Sequence, residues 1–257
     1  LFDMQNALSY FTKSVELSEK TSNRYGAALT LNNLGIQYWL LQDYDQALAC
    51  YERALQFWRE IGNRAEESKT LNNLGLLHLK KENLDKAFEL FKTALGDRLN
   101  GKYLRTDAGL LNNIALSHLR RGQIKQEPEE FQRALEWYQL ALPFIREMRD
   151  MEMEVRALVG TAETHLMLNQ PELALKVMDQ AIAIAEKIRA GIASPEHRIL
   201  SQPLISVAYK MQAHALMQLH REDKPAGYDR LALQASEQYR LRTLLELLSE
   251  SRIELNR

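Results

Sequence analysis

The chain has 257 residues, of which 46% are hydrophobic and 26% charged, so it carries enough apolar material to form a folded core. Lys and Arg number 33 against 34 Asp and Glu, and the formal charge of −1 gives no overall attraction to nucleic acid or to an anionic membrane. No apolar run approaches the roughly 20 residues of a membrane span and no signal peptide is recognisable, so we expect a cytoplasmic protein.

A 40-residue period divides the first half of the chain. The run TLNNLG occupies residues 30–35 and 70–75, and LNNIA follows at residues 111–115. A second pattern in the same register places an Ala, then an aromatic residue four positions later and a small residue three beyond it. Its members are Ala7, Phe11 and Ser14, then Ala47, Tyr51 and Ala54, then Ala87, Phe91 and Ala94. These spacings put each set on one helical face, so every repeat is predicted to be a hairpin of two helices.

The turns between the predicted helices carry capping residues. Asp43 followed by Gln46 resembles a capping box, and Asn83 is suited to cap the next helix. Pro171 and Pro195 are suited to the first turns of later helices.

The third repeat departs from the register by seven residues. Its matching set is Ala134, Tyr138 and Ala141, which predicts an insertion near residues 123–130. The fourth repeat resumes at Ala174, 40 residues after Ala134.

Beyond Lys187 the pattern loosens, and glycine and proline residues predict a loop across 189–202. A terminal helical pair is predicted at residues 204–219 and 228–248. We therefore divide the chain into a repeat array over residues 1–188 and an irregular loop with a terminal helical pair over residues 189–257.

The repeated residues resemble the tetratricopeptide repeat, in the longer variant found in kinesin light chains, spindle-orientation adaptors and many bacterial proteins. The signature is carried by Asn33-Leu34-Gly35 with Tyr38, Ala47, Tyr51 and Ala54, and by the corresponding residues of the second repeat. Departures occur where the signature Gly becomes Ala115 and Ala162. The resemblance implies an all-α fold, a right-handed superhelix or α-solenoid of about five helix-turn-helix repeats with a C-terminal helical pair.

The end of the chain carries a second resemblance, to the segment that joins such repeats to a caspase-like CHAT domain in large bacterial proteins. Gln238 and Tyr239 depart from that pattern. The residues that fit it are Ser236, Glu237, Arg240, Arg242, Leu244, Leu245, Leu247 and Leu248. Because the chain also starts at Leu1 without an initiator methionine, we expect a part of a longer bacterial protein.

Paired asparagines on the first helix of each repeat are the strongest candidates for a binding surface. The pairs are Asn32 and Asn33, Asn72 and Asn73, and Asn112 and Asn113. A side-chain amide donates and accepts hydrogen bonds, so a spaced set can pair with the backbone of an extended peptide in the concave groove. The resemblance implies peptide contact by Asn33, Asn73 and Asn113, whereas the first member of each pair has the alternative of bonding a neighbouring helix.

Seven residues beyond the second asparagine of each pair, the same face brings Leu40, Lys80 and Arg120. Two cations in line could hold a carboxylate of the partner, although cations near a helix C-terminus also interact favourably with its dipole.

Three histidines, His78, His118 and His165, recur at the signature position of Tyr38. Neighbouring helices pack roughly 8–10 Å apart, so three successive repeats would spread these rings too widely for one metal ion. We expect partly buried rings, no metal and no cofactor. No nucleophile, phosphate loop or metalloprotease motif is recognisable, and Cys50 is expected to be a small buried hydrophobe, so no catalytic residue is assigned.

The sequence therefore predicts a non-enzymatic scaffold that binds a peptide or protein domain, including its own downstream CHAT domain, as the docking or sensing arm of a larger protein. The alternative is a structural spacer or oligomerisation module without a groove ligand, and an enzyme ranks third. Apolar residues at the ends, such as Phe2 and Met4, favour a monomer or weak homodimer.

Overall fold

Helices make up nearly all of the computed structural model, which describes residues 2–96, 98, 101, 103–191, 195–222, 226–237 and 240. For residues 2–7, 19, 195–204 and 222 the description is of the backbone. The chain forms two compact units, residues 1–103 and 104–257. No strand occurs in the described ranges, and the prediction of an all-α repeat fold is confirmed.

The helices of the first unit are α1 Phe2–Lys20, α2 Arg24–Leu40, α3 Tyr44–Glu60, α4 Arg64–Lys80 and α5 Leu84–Leu95. The second unit begins with a 3-10 turn at Arg105–Asp107. It continues with α6 Ala108–Lys125, α7 Pro128–Met148, α8 Met151–Met167, α9 Pro171–Gly191 and α10 Pro195–Glu222. Residues 228–237 are also helical.

The hairpins α2–α3 and α4–α5 pack through an aromatic ring laid on a glycine. A Cβ built on Gly35 would lie 2.5 Å from Cε1 of Tyr51, and one built on Gly75 would lie closer still to Phe91. Both rings are buried, Tyr51 at 2% and Phe91 at 0% exposure. The aromatic positions of the repeated pattern are therefore the core contacts between paired helices, as the pattern predicts.

Turns in the first unit recur at half the repeat length. Ser22, Gln42, Gly62 and Glu82 all have positive φ, between 55° and 70°, and lie 20 residues apart. The residue that follows each of the first three turns caps the next helix through its side chain, and these caps are Asn23, Asp43 and Asn63. Asp43 accepts a hydrogen bond from the backbone N–H of Gln46, which confirms the cap at Asp43, but the backbone N–H of Asp43 donates to the Tyr38 carbonyl, so only half of the predicted capping box is present. Asn83 stands at the start of α5 but forms no side-chain cap bond.

The seven-residue shift in the third repeat is absorbed by longer helices around a short turn. Helix α6 continues for twelve residues beyond Asn113, whereas α2 continues for seven beyond Asn33. Helix α7 begins six residues before Ala134, whereas α3 begins three before Ala47. The extra length carries its own glycine contact, because a Cβ on Gly122 would lie 2.6 Å from Cε1 of Phe131.

The core of the second unit continues through α8, α9 and α10. Small and apolar residues meet there, including Ala162, Ala174, Met178 and Ala181, all 0% exposed. Tyr209 of α10 packs into the same core and donates its hydroxyl to Glu186 of α9 at 2.9 Å.

The predicted loop across residues 189–202 is too long. Helix α9 runs to Gly191 and α10 begins at Pro195, so Pro195 starts a helix as predicted, but Pro203 lies inside that helix. Proline lacks an N–H, so its place inside α10 removes one backbone hydrogen bond, and the helix nevertheless continues to Glu222. Residues outside the described ranges include Leu1 and several members of the resemblance to the pre-CHAT segment, namely Gln238, Tyr239, Arg242, Leu244, Leu245, Leu247 and Leu248.

Within the described residues, no helix combines the length and apolar character required to cross a bilayer.

We predict that Gly75→Ala destabilises the first unit because a methyl group would displace the buried Phe91 ring. Overpacking costs about 1–3 kcal/mol, which outweighs the roughly 1 kcal/mol that Ala gains over Gly in helix propensity. Gly109→Ala in α6 is the matched control, because its Cβ would meet only Cε of Met153 at 3.7 Å and should stabilise the protein. Urea unfolding followed by circular dichroism measures both changes, and equal effects of the two variants would contradict the ring-on-glycine packing.

Candidate functional site

Helices α2 and α4 present matching exposed faces in the first unit, which we call the amide face. Positions separated by three or four residues share one side of a helix. On α2 these are Leu29, Asn33, Ile36 and Leu40, and on α4 they are Lys69, Asn73, Leu76 and Lys80. The α2 members are unusually apolar for an exposed surface, with Leu29 at 41%, Ile36 at 38% and Leu40 at 62% exposure.

An amide–amide hydrogen bond joins the two helices at the centre of this face. Nδ2 of Asn73 donates to Oδ1 of Asn32 at 3.2 Å, and the Thr70 hydroxyl donates to the same oxygen at 3.4 Å. The bond holds the Asn73 side chain in one orientation and leaves its carbonyl oxygen to accept from elsewhere. Asn33 forms no hydrogen bond with its side chain within the described part of the chain, so both its donor and its acceptor are available.

The remaining asparagines differ in their contacts, although all six are partly buried. Asn72 on α4 and Asn113 on α6 each already have an interaction within the protein. Oδ1 of Asn112 is buried and has no hydrogen-bond partner among the described residues. The structure therefore brings Asn32, Asn33 and Asn73 together on one unit, while Asn112 and Asn113 belong to the other.

Lys80 and Arg120 also differ in their surroundings. Lys80 ends α4 as an exposed side chain that pairs with no carboxylate in the described ranges. Arg120 on α6 has such a partner, because its Nη1 lies 3.4 Å from Oε1 of Glu163 on α8 and 2.7 Å from Oε1 of Gln123. Lys80 is thus the better placed of the two to meet an external anion.

The fourth repeat has no room for a side chain at the position of the second asparagine. Gly160 on α8 stands at the position of Asn33, and the hydroxyl of the fully buried Tyr138 occupies the space where a Cβ at residue 160 would project. A side chain cannot fit there unless the tyrosine moves. The repeated asparagine is therefore absent at residue 160, where the Tyr138 ring lies against the helix backbone.

A buried polar cluster at the α6–α7 turn was not predicted. His118 and Glu130 are 4% and 3% exposed, and Nδ1 of His118 lies 2.8 Å from Oε2 of Glu130. Arg133 and Arg121 flank the same carboxylate at 3.0 Å and 3.5 Å. Two acidic residues at the start of α7 inside the predicted insertion were the available signal, but periodicity alone does not show which of them is buried.

The charges within this cluster follow from its surroundings. Burial lowers the pKa of His118 and outweighs the opposing hydrogen bond to Glu130, so the imidazole is neutral and Nδ1–H donates. Burial acts to raise the pKa of Glu130, but His118, Arg121 and Arg133 together hold it below its usual value. An ionised carboxylate, two arginines and a neutral histidine donor form a buried structural network.

The predicted histidine row does not converge. His165 bonds through Nδ1 to Oε1 of Gln170 at 2.8 Å, His118 bonds Glu130, and Nδ1 of His78 is buried without a partner in the described residues. No cluster of three or more metal-ligating side chains occurs within the described residues. Burial raises the pKa of Cys50, which is 6% exposed and behaves as the predicted small hydrophobe.

The described residues form an all-α fold of repeated helical hairpins. Residues 26–98 match the family model described as tetratricopeptide repeat. No curated protein sequence is similar enough to this chain to count as a relative.

Solved structures share the fold at low sequence identity. The crystal structure of BtubC (BKLC) from P. vanneervenii matches with a TM-score of 0.68 and 17% identity, over 94% of this chain and 92% of that one. A putative kinesin light chain from Podosopora anserina with TPR-like repeats gives a TM-score of 0.60 and 13% identity, over 83% and 95%. The Rap conjugation gene regulator of plasmid pLS20, in complex with the Phr* peptide, gives 0.58 and 19%, over 94% of this chain and 60% of that one.

We predict that stability falls as the pH drops from 7.5 to 5.5, because His118 and His78 both have lowered pKa values in the folded state. Between those values and the unfolded value of about 6.5, the unfolded chain binds more protons than the folded chain, so the free energy of unfolding decreases with decreasing pH. Urea unfolding at each pH gives the free energy of unfolding, and its dependence on pH should be weaker in His118→Gln than in wild type and weaker again when His78→Gln is added. This pH dependence is the relevant readout, because loss of the bond to Glu130 also lowers the free energy of unfolding at every pH. A double variant with the wild-type pH dependence would show that other groups carry it.

Proposed function

We propose that the chain is a scaffold that binds an extended segment of another polypeptide along the amide face. The observation that carries the proposal is the Asn73–Asn32 hydrogen bond, which fixes one amide while Asn33 beside it keeps its full hydrogen-bonding capacity. Fixed amides lose little entropy when they meet a peptide backbone, and they recognise N–H and C=O groups in any sequence. Ile36 and Leu40 next to them supply apolar contact area.

The comparisons support this proposal at the level of the fold. One structure with the same fold, the Rap regulator of plasmid pLS20, is in complex with the Phr* peptide. At 19% identity that similarity does not carry over individual contacts, so the amide face of this chain must be tested on its own residues.

The wider role follows from the sequence. The resemblance of residues 232–248 to a pre-CHAT segment supports a docking or sensing arm in a larger bacterial protein, with a downstream CHAT domain as one partner of the array. We assign the chain to the cytoplasm as a non-enzymatic module, a monomer or weak homodimer, that binds no nucleic acid or membrane and needs no cofactor. The concave groove predicted from the sequence stays part of the proposal, with Asn33, Asn73 and Lys80 as its candidates on the first unit and Asn113 and Arg120 on the second.

A structural spacer is the rival function, and one observation favours it. Arg120 contacts Glu163 and Gln123 within the protein, so its guanidinium joins two helices and is not available to a ligand. In a spacer, the hydrogen bond between Asn73 and Asn32 would serve only to hold two helices together. Removal of one amide would then lower stability alone, whereas in a scaffold it would also weaken peptide binding.

We predict that Asn73→Ala weakens peptide binding about tenfold while Asn32→Ala leaves it within about threefold of wild type. Both substitutions remove the bond between α2 and α4, at a stability cost of about 1 kcal/mol, but only the first removes the amide at the centre of the face. Peptides are selected from a random library displayed on phage, and their affinities are measured by fluorescence polarisation. Asn33→Ala should weaken the binding of the same peptides without any change in the free energy of unfolding of the protein.

Equal losses in Asn73→Ala and Asn32→Ala would assign the effect to the inter-helix bond and not to contact. Selection of no peptide by the folded wild type, or of peptides that bind all three variants equally, would favour the spacer.

A further inference from the structure

The corner where the first helix of a repeat begins and the second helix ends is closed in one repeat of the first unit. In the α2–α3 hairpin, Tyr25 and Trp58 meet there edge to face, with ring centroids 5.2 Å apart. Trp58 is 0% exposed. An aromatic pair therefore fills the space between the start of α2 and the end of α3.

The next repeat lacks that pair. With the 40-residue period, Tyr25 corresponds to Ala65 and Trp58 to Arg98. Helix α5 also has 12 residues against 17 in α3, so it ends at Leu95 before reaching the position that corresponds to Trp58. The corner formed by α4 and α5 has consequently lost both rings and the last turn of a helix.

A cavity of about 290 Å³ lies at this place, and we call it the corner cavity. It is far larger than the roughly 30 Å³ that one water molecule occupies in the liquid. Its apolar floor is formed by Leu71, Ala94 and Leu95, and its rim carries hydroxyl and charged groups. The lining residues are Arg64, Glu67, Ser68, Leu71, Thr93, Ala94, Leu95, Gly96 and Arg98.

Arg64 brings a positive charge to the rim of the cavity. In the first repeat Arg24 forms an ion pair with Glu60, but the residue that corresponds to Glu60 is Asn100, and Arg64 pairs with no carboxylate among the described residues. Glu67 is already neutralised, since its Oε1 lies 2.8 Å from Nε of Arg59. Arg64 thus borders the cavity as a guanidinium without an acidic partner among the described residues, whereas Nη2 of Arg98 already donates to the Ala94 carbonyl at 3.1 Å.

From these features we propose that the corner cavity is a binding site for a small aromatic carboxylate. The ring takes the place that Trp58 fills in the first repeat, against Leu71 and Leu95, and the carboxylate lies at the rim beside Arg64. The site does not involve the asparagines of the amide face, so it is independent of the proposed peptide binding. Burial of an aromatic body with one charged anchor is the usual composition of a small-ligand pocket.

The probe for this proposal is indole-3-acetate, with ¹⁵N–¹H correlation spectra of the whole chain as the readout. We expect saturable shifts of the Ser68, Leu71 and Gly96 amides. Indole-3-acetamide, which keeps the ring and loses the charge, and acetate, which keeps the charge and loses the ring, should each bind at least about tenfold more weakly. Arg64→Gln should weaken the binding of indole-3-acetate to the same degree, whereas the matched control Arg24→Gln should leave this binding unchanged.

Ala65→Tyr restores, on a helix that keeps the register of α2, the ring that Tyr25 supplies in the first repeat, and it should weaken indole-3-acetate binding by filling part of the cavity. If that variant fails to fold, Arg64→Gln and its Arg24→Gln control decide the question on their own. The proposal is overturned if indole-3-acetate shifts none of the three amides, if the acetamide binds as tightly as the acid, or if Arg64→Gln binds like wild type.

Discussion

The architecture depends on the contact between an aromatic ring on one helix and a glycine on its partner. Tyr51 on Gly35 and Phe91 on Gly75 bring the backbones of two helices together without leaving a void, and the ring covers the remaining apolar area. The contact is directional, because it fixes which faces of the two helices meet. The residues on the outer faces of the helices do not take part in this contact, so they can differ between repeats, and the amide face consists of such residues.

The extension of the α6–α7 hairpin shows how the same contact is preserved when the chain lengthens. Seven additional residues could have formed a loop, but they prolong both helices by about a turn and add a second ring-on-glycine contact, Phe131 on Gly122. The added turns also bury a carboxylate, and His118, Arg121 and Arg133 surround it. A buried charge with this many partners fixes the ends of the two helices relative to each other, because any shift of register would leave it unpaired.

Periodicity was sufficient to predict the hairpins, the aromatic positions and the cap at Asp43, since each follows from residues close in sequence. It was insufficient where a long-range contact decides the outcome. The pairing of Arg120 with Glu163 joins residues 43 apart. The early end of α5 has a different cause, because Gly96 follows Leu95 with a φ of 55° and is a local stop signal that the 40-residue period does not contain. The bond from Asn73 to Asn32 was one of two alternatives that the sequence left open for the first asparagine of a pair. Whether Asn33, Asn73 and Asn113 act in one groove stays a prediction.

The contact of Tyr138 with Gly160 has a consequence for how the asparagine row can change over generations. Asparagine at residue 160 is sterically blocked for as long as the tyrosine ring projects into that space, because Cζ of the ring as well as the hydroxyl would collide with the added Cβ. Phenylalanine at residue 138 would keep that ring carbon and the clash, so a smaller side chain would have to come first, and the two substitutions are strongly epistatic. A lineage could therefore shorten its recognition surface in a single step but lengthen it into the fourth repeat only by passing through an intermediate with a cavity in its core.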